Sequence, residues 1–94
     1  MDEQSFLATL ADGGYTEILP REFAPGHRFE PHSHPWDSRL LVLAGRMTIG
    51  RDGVEQVFEA GDVCEVPRDA LHSEQYGEQG ARLVVGRRHE FRTI

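Results

Sequence analysis

The chain has 94 residues, a formal net charge of −6 and one cysteine, Cys64. This length allows one small domain and leaves no material for a second core. The negative charge argues against nucleic-acid binding, which needs clustered positive charge to contact phosphates. A single cysteine excludes a disulfide within the chain and a thiolate-rich zinc site, and we expect it to be buried and unreactive.

All ten basic residues are arginine, and the lack of lysine excludes Schiff-base chemistry. The longest apolar run, Leu40 to Ala44, is too short to cross a bilayer. The chain starts with acidic residues and lacks the basic and then apolar profile of a signal peptide. We therefore expect a cytoplasmic protein without a membrane partner.

The first element in chain order is a short helix. Residues 2–11 place an apolar stripe on one helical face, made of Phe6, Leu7 and Leu10. Gly13-Gly14 follows as a stop signal. We assign residues 1–14 to this N-terminal helix or extension, and residues 15–94 to a single β-domain.

The rest of the chain consists of short apolar runs separated by turn residues. The clearest turn is Asp52-Gly53, a pair that accepts the positive φ angles of a tight hairpin. Short strands at close spacing predict an all-β fold, a small antiparallel β-barrel or jelly roll. The nine predicted strands cover 15–19, 21–24, 27–33, 38–44, 46–51, 54–59, 62–66, 71–76 and 81–88.

The sequence His32-Ser33-His34 suggests a metal site, because alternate side chains of a strand share one face. Imidazole binds zinc, copper, iron and nickel well. Taken alone, however, a His-x-His pair is better explained by exposed polar residues near a strand end. A third ligand from elsewhere in the chain is needed.

Two spaced motifs supply that ligand. The first has a glycine, five residues, His-x-His and a later glycine, and the second has a glycine, five residues, a proline and a histidine. These motifs resemble those of the cupin superfamily, small β-barrels, and the chain is similar to a single-domain cupin of the type-2 conserved-barrel kind. The matching residues are Gly26, His32, His34 and Gly45 in the first motif, and Gly61, Pro67 and His72 in the second.

The resemblance implies that His32, His34 and His72 converge inside the barrel as metal ligands. It implies one divalent transition ion: iron, nickel, manganese or zinc. The family's glutamate ligand falls on Ser38, or on Arg39 with the longer spacing, so no carboxylate stands there. A three-histidine site without that glutamate is similar to the thiol dioxygenase branch of the superfamily.

The second motif also departs from the family. Asp69 stands where the family has a glycine, and Tyr76 stands where it has an asparagine. Three other carboxylates could complete the site. Glu74 has the strand parity of His72 and is the best candidate, as a fourth ligand or as a partner that fixes an imidazole tautomer. Asp37 and Glu30 are alternatives, and a solvated charge at the rim is the competing interpretation for each.

Four residues near the histidines could shape a pocket or take part in chemistry. Tyr76 could donate a hydrogen bond to a bound ligand or act as a weak acid. Trp36 could form a cavity wall or belong to a core or interface. Arg39 could clamp a substrate carboxylate or lie on the surface. Ser38 occupies the position of the missing glutamate. We expect the two other histidines, His27 and His89, to be solvated.

The segment Leu40-Leu41-Val42-Leu43 is apolar on both faces, so it needs cover on both sides. Either the N-terminal helix or a second subunit supplies that cover, and we predict a homodimer. We expect a small metal-dependent enzyme of oxygenase or isomerase type that acts on a small polar molecule. The alternatives are a non-catalytic ligand- or metal-binding or sensing module, and a degenerate barrel without metal.

Overall fold

The structure, a computed structural model, describes residues 1–89 and contains one helix and six strands in that range. Their order confirms the predicted antiparallel all-β fold with a short N-terminal helix. Residues 90–94 of the predicted β-domain lie outside the described residues. The elements are α1 Glu3–Gly13, β1 Glu17–Phe23, β2 Arg28–His32, β3 Asp37–Arg51, β4 Val54–Glu59, β5 Val63–Val66 and β6 His72–Arg88.

Helix α1 begins and ends at capping residues. The Asp2 carboxylate accepts a hydrogen bond from the Ser5 backbone N–H at 2.7 Å, and Gly14 closes the helix with φ 77°. Phe6 and Leu10 are fully buried on one face. Within residues 1–89, no helix has the length and apolar character needed to cross a bilayer.

Six strands replace the nine predicted because three predicted pairs are continuous. The two predicted strands around Pro20 form β1, an edge strand in which proline is tolerated. Strand β3 runs through Gly45, and β6 runs through Gly77 to Gly80. At Gly45 (φ 83°) an added Cβ would lie only 2.1 Å from the Gly80 carbonyl oxygen. These glycines bend the two strands where they cross closely, rather than ending them.

The bends divide the sheet into two antiparallel halves. One half has the order β1–β6–β3–β5 and uses residues 81–88 of β6 and 37–45 of β3. The other has the order β2–β6–β3–β4 and uses residues 72–76 of β6 and 46–51 of β3. The long strands thus join two layers.

Two separate cores follow from this arrangement. The inner core lies between the halves and includes Leu40, Val42, Met47, Tyr76, Leu83 and Val85. The outer core lies between α1 and the first half, where Leu41 and Val84 pack with Phe6, Leu10 and Tyr15. At Gly86 an added Cβ would meet Leu10 at 2.6 Å, so the helix sits directly on the strand. Helix α1 therefore covers the outer face of the apolar segment around Leu41.

Candidate metal centre

Four side chains that can bind a metal converge at the inner face of the sheet. His32 ends β2, His34 follows it, and His72 and Glu74 begin β6; their ligand atoms all lie within 4.8 Å of one another. The pairing of β2 with β6 places His32 opposite His72. The strand register thus brings both motifs to one point.

A β-bulge in β2 changes which carboxylate reaches this point. Phe29 pairs with Glu74 and His32 pairs with His72, so three steps on β2 match two on β6. The extra residue turns Phe29, rather than Glu30, to the face of His32. Glu30 is exposed and lies 3.4 Å from Arg28. Glu30, one of the alternative carboxylates, therefore does not face the histidine cluster.

Backbone carbonyls orient two of the imidazoles. Nδ1 of His32 lies 2.7 Å from the Glu30 carbonyl oxygen, and Nδ1 of His72 lies 2.8 Å from that of Ala70. A carbonyl oxygen only accepts, so each Nδ1 carries the hydrogen and each Nε2 keeps its lone pair in the neutral ring. This tautomer is the one in which Nε2 can bind a metal.

Glu74 lies opposite both Nε2 atoms. Its Oε2 is 3.3 Å from Nε2 of His32 and 3.3 Å from Nε2 of His72. Burial opposes the ionisation of Glu74, but hydrogen bonds from the protonated form of His72 and from Tyr76 outweigh it and hold the pKa of Glu74 below its usual value. The hydrogen bond with Glu74 raises the pKa of His72. The carboxylate is thus ionised and favours a positive charge between itself and the two rings.

Tyr76 holds the other oxygen of that carboxylate. Its hydroxyl donates to Oε1 of Glu74 at 2.6 Å, and its ring stacks on Phe23 with a centroid distance of 4.3 Å. Burial and the neighbouring Glu74 raise the pKa of Tyr76 far above its usual value, so the hydroxyl stays protonated. Tyr76 therefore acts here as a hydrogen-bond donor to Glu74.

His34 is positioned differently from the other two histidines. Within residues 1–89 its ring makes no hydrogen bond; instead it stacks on Trp36, with centroids 4.7 Å apart and an interplanar angle of 9°. Partial burial, together with His32 and His72, lowers the pKa of His34. The guanidinium carbon of Arg87 lies 4.6 Å from the centroid of Trp36. Aromatic packing therefore sets the orientation of this ring.

These residues fit a divalent transition ion. Two ligands of a tetrahedral zinc ion, each at about 2.0–2.1 Å, lie about 3.3 Å apart. The Glu74 oxygen and either Nε2 atom have this separation. Three neutral imidazoles and one carboxylate suit zinc, iron, nickel and manganese alike.

The cluster opens into a small cavity of about 110 Å³ between the two halves of the sheet. Trp36 and Ser38 line it, while Arg39 lies on the opposite face of β3. There Arg39 donates to Glu65 at 3.0 Å and to the Thr9 carbonyl oxygen at 3.0 Å. The placement of Arg39 in the pocket is therefore corrected, because its strand parity is that of the face under α1.

Asp37 also lies outside the cluster. Its carboxylate accepts hydrogen bonds from the Arg68 backbone N–H at 2.8 Å and from the Arg88 guanidinium at 3.0 Å. These bonds lower the pKa of Asp37, chiefly the one from the Arg68 backbone. Asp37 therefore serves a structural network on the outer face and does not complete the histidine site.

Asp69 adopts the backbone conformation for which the family motif has a glycine. Its φ is 64°, in the left-handed region, which aspartate tolerates better than most residues. Its N–H donates to the His34 carbonyl oxygen at 2.7 Å. The turn that leads to His72 is thus formed without the glycine.

Sequence reasoning missed several residues that line the cavity. Phe29 was missed because the β-bulge between Phe29 and His32 changes the strand parity. The other three face inward on the paired strands β1 and β6, and knowledge of that pairing would have indicated them: Arg21, Phe23 and Arg87. The two remaining histidines lie outside the cluster and are exposed, as predicted. His27 packs against Phe23 and Phe29, and His89 contacts Glu17.

Comparisons with known proteins agree with this architecture. A family model of the cupin domain matches residues 21–85. A comparison with curated proteins finds no match. A structure of unknown function from Rhizobium leguminosarum bv. viciae 3841 has 22% identity and a TM-score of 0.73, covering 78% of this chain and 69% of that one.

Two other solved structures are similar. KdgF from Halomonas sp. has 19% identity and a TM-score of 0.70, covering 79% of this chain and 68% of that one. An RmlC-like cupin from Shewanella frigidimarina NCIMB 400 has 26% identity and a TM-score of 0.66, covering 74% of this chain and 62% of that one. On the family match and the shared fold, the chain belongs to the cupin family.

Proposed function

We propose that this protein is a small metal-dependent enzyme in which His32, His34 and His72 bind one divalent transition ion. The observation that carries the proposal is the orientation of His32 and His72. Both rings give their Nδ1 hydrogen to a backbone carbonyl and turn Nε2 towards Oε2 of Glu74 at 3.3 Å. Three acceptors around one point favour a shared cation.

Iron, nickel, manganese and zinc all fit this donor set. A bound ion would supply Lewis acidity, or oxygen binding in the case of iron. The reaction class that we propose is that of an oxygenase or isomerase acting on a small polar molecule. The cavity of about 110 Å³ supports a small substrate, because the neighbouring side chains leave no room for a large one.

The residues around the ion have separate roles in this proposal. Glu74 is a fourth ligand or, when it is not bound to the ion, a proton acceptor facing the substrate. Tyr76 keeps Glu74 ionised and oriented through the 2.6 Å hydrogen bond. Trp36 positions His34 and forms one wall of the cavity.

A non-catalytic binding or sensing module is the second candidate. The position of Oε2 of Glu74 favours it, because a fourth protein ligand would close the coordination shell. Closed four-ligand sites are typical of structural zinc, whereas catalytic sites keep one position open. The role of Glu74 therefore distinguishes an enzyme from a module.

The homodimer and the cytoplasmic location stay predictions. Helix α1 already covers Leu41, so the apolar segment no longer requires a second subunit. Exposed apolar residues that could take part in pairing include Ile18, Val54, Val57 and Leu71. Light scattering during size-exclusion chromatography tests this: a mass near 10.6 kDa at micromolar concentrations would contradict the dimer.

Metal content tests the proposed site. Protein purified without an immobilised-metal column should contain about one transition ion per chain by mass spectrometry. His72→Ala should lose it, because this variant removes the most buried ligand. The matched control is His27→Ala, an exposed histidine outside the cluster. A wild-type chain without metal, or equal metal in both variants, would contradict the site.

Cobalt substitution separates the two candidate functions. Cobalt(II) has distinct visible spectra with four protein ligands and with open, water-filled positions. If Glu74 is a permanent ligand, Glu74→Gln should change the spectrum strongly, and the module is favoured. If the spectrum is nearly unchanged, Glu74 is free to take part in proton transfer, and the enzyme is favoured.

A further inference from the structure

We propose that Arg21 and Arg87 form an anion-binding rim of the histidine pocket, and that its ligand is a small organic carboxylate. The proposal rests on the proposed function, since the ligand would occupy the cavity beside the metal. It adds the chemical class of the ligand, which the three histidines leave open.

Both arginines lie on the inner face of the sheet. Strand β1 pairs with β6 so that Arg21 lies opposite Leu83 and Glu17 lies opposite Arg87. Leu83 belongs to the inner core, and Arg87 has the same parity on β6. Both guanidinium groups line the cavity together with Glu74 and the histidines. Both groups are therefore within reach of a ligand in the cavity.

The hydrogen-bonding capacity of these two groups is largely unused by the described chain. Within residues 1–89, Arg21 makes no ion pair or hydrogen bond; its guanidinium carbon lies 5.6 Å from the ring centroid of Phe23. Arg87 is 3.8 Å from Oε1 of Glu17, but that oxygen is already bonded to His89 at 2.5 Å. A guanidinium group has five N–H donors in a planar fork that matches a carboxylate.

The charge of the cavity favours an anion. Glu74 is the single carboxylate among its described lining residues, against two guanidinium groups. A divalent ion would add further positive charge. This positive charge lies in a concave site of a chain whose net charge is −6, and a concave wall concentrates the electrostatic potential of the groups that line it. An anion in the cavity would therefore meet a favourable potential.

The size and the other walls define the rest of the ligand. A dry cavity of about 150 Å³ holds benzene, and this one is smaller, at about 110 Å³. Phe29, Leu40, Ile49 and Val66 form part of its apolar wall. A carboxylate with a short branched or unbranched carbon body fits these conditions. An inward charge on edge strand β1 also opposes edge-to-edge aggregation, but that role would not alter ligand affinity.

The test uses the zinc-loaded full chain and two probes of equal shape, isobutyrate and neutral isobutyramide. Affinity is measured by NMR chemical-shift titration on the wild type, Arg21→Gln, Arg87→Gln and the control Arg82→Gln. Arg82 lies on β6 facing outward, opposite Glu22. We expect isobutyrate to bind at least about tenfold more weakly to each inner variant, since charged hydrogen bonds are lost. Isobutyramide affinity and the control should change less than about twofold.

The same titrations on metal-free protein separate this proposal from the metal site. The dependence on Arg21 and Arg87 should persist there, although isobutyrate binds more weakly overall. If the chain binds no zinc, the proposed function fails, and the metal-free series still tests the arginines. Equal isobutyrate affinity in wild type and both inner variants would overturn the anion rim. Tighter, arginine-dependent binding of inorganic phosphate than of isobutyrate would overturn the carboxylate assignment.

Discussion

The two faces of the sheet formed by β3 and β6 hold their polar side chains in different ways. On the outer face, under α1, Arg88 bonds to Asp37 and to the Gly13 carbonyl oxygen, and Arg39 bonds to Glu65 and to the Thr9 carbonyl oxygen. The guanidinium carbons of Arg39 and Arg88 also lie over the ring of Tyr15, at 4.7 and 4.6 Å from its centroid respectively. Both arginines under α1 thus have polar partners within the described residues.

On the inner face, several polar side chains line one cavity and have hydrogen-bonding or metal-binding atoms without a strong partner among the described residues. Two imidazole Nε2 atoms face a carboxylate, and Arg21 and Arg87 have little bonding of their own. This difference indicates that the polar side chains on one face of these strands stabilise the fold, whereas those on the other face are available for binding. Mutations on the two faces should therefore separate stability from binding.

The largest expected effect is on the outer face. Leu10→Ala removes a fully buried side chain that packs on Gly86, and it should lower the free energy of unfolding by about 3 kcal/mol. Urea denaturation measures this change. Leu71→Ala is the control, because Leu71 is 62% exposed and should cost under about 0.5 kcal/mol. Folded Leu10→Ala should still bind one zinc ion; loss of metal would break the separation of the faces.

Asp37→Asn should weaken the polar network of the outer face by about 2 kcal/mol at neutral pH. The folded-state pKa of Asp37 is lowered, chiefly by the Arg68 backbone hydrogen bond. Its contribution is therefore fully present above the unfolded pKa of 3.8 and is lost as the pH falls through the lower folded value. Denaturation at several pH values should show the two proteins converging in acid. A difference that is independent of pH would argue against this ion pairing.

On the inner face, Tyr76→Phe should weaken zinc binding about tenfold with little loss of stability. The variant removes the hydrogen bond to Glu74 but keeps the ring stacked on Phe23. Competition with a chelating dye measures the affinity. Tyr15→Phe is the matched control on the outer face and should leave zinc affinity unchanged. Equal effects of the two variants would show that Tyr76 does not act through Glu74.

The smallest expected effect concerns the stacked histidine. Trp36→Ala should weaken zinc binding about threefold, because stacking of this kind contributes about 0.5–1.5 kcal/mol. Trp36→Phe keeps an aromatic ring and should change the affinity by less than about twofold. NMR relaxation of the His34 side chain should show increased ring motion in the alanine variant. An unaltered His34 spectrum there would mean that Trp36 does not orient the ring.

Much of the inner face could be predicted from local rules. Strand alternation placed His72, Glu74 and Tyr76 on one face, whereas the convergence of His32 and His34 with them was implied by the resemblance to the cupin motifs. The Asp52-Gly53 hairpin was also confirmed, because its positive φ angles depend on these two residues alone. Strand alternation and the Asp52-Gly53 turn depend on short stretches of chain whose geometry is set by covalent structure.

Other features depend on contacts between distant segments. The β-bulge between Phe29 and His32 turns Phe29, instead of Glu30, to the inner face. Strand alternation cannot reveal such an inserted residue. Strands β3 and β6 continue through their glycines because the two strands approach each other closely there. Neither segment alone indicates this approach. For Arg39 the sequence left a pocket position and a surface position open, and the contact with helix α1 that decides between them joins segments 30 residues apart.

The central claim is that three imidazoles at the inner face bind one ion. X-ray absorption spectroscopy of the zinc-loaded protein tests it most directly, because it counts the ligands around the metal. We predict three histidine nitrogens at about 2.0–2.1 Å, no sulfur, and any further ligand an oxygen. A sulfur ligand, or a shell with fewer than three histidine nitrogens, would contradict the account.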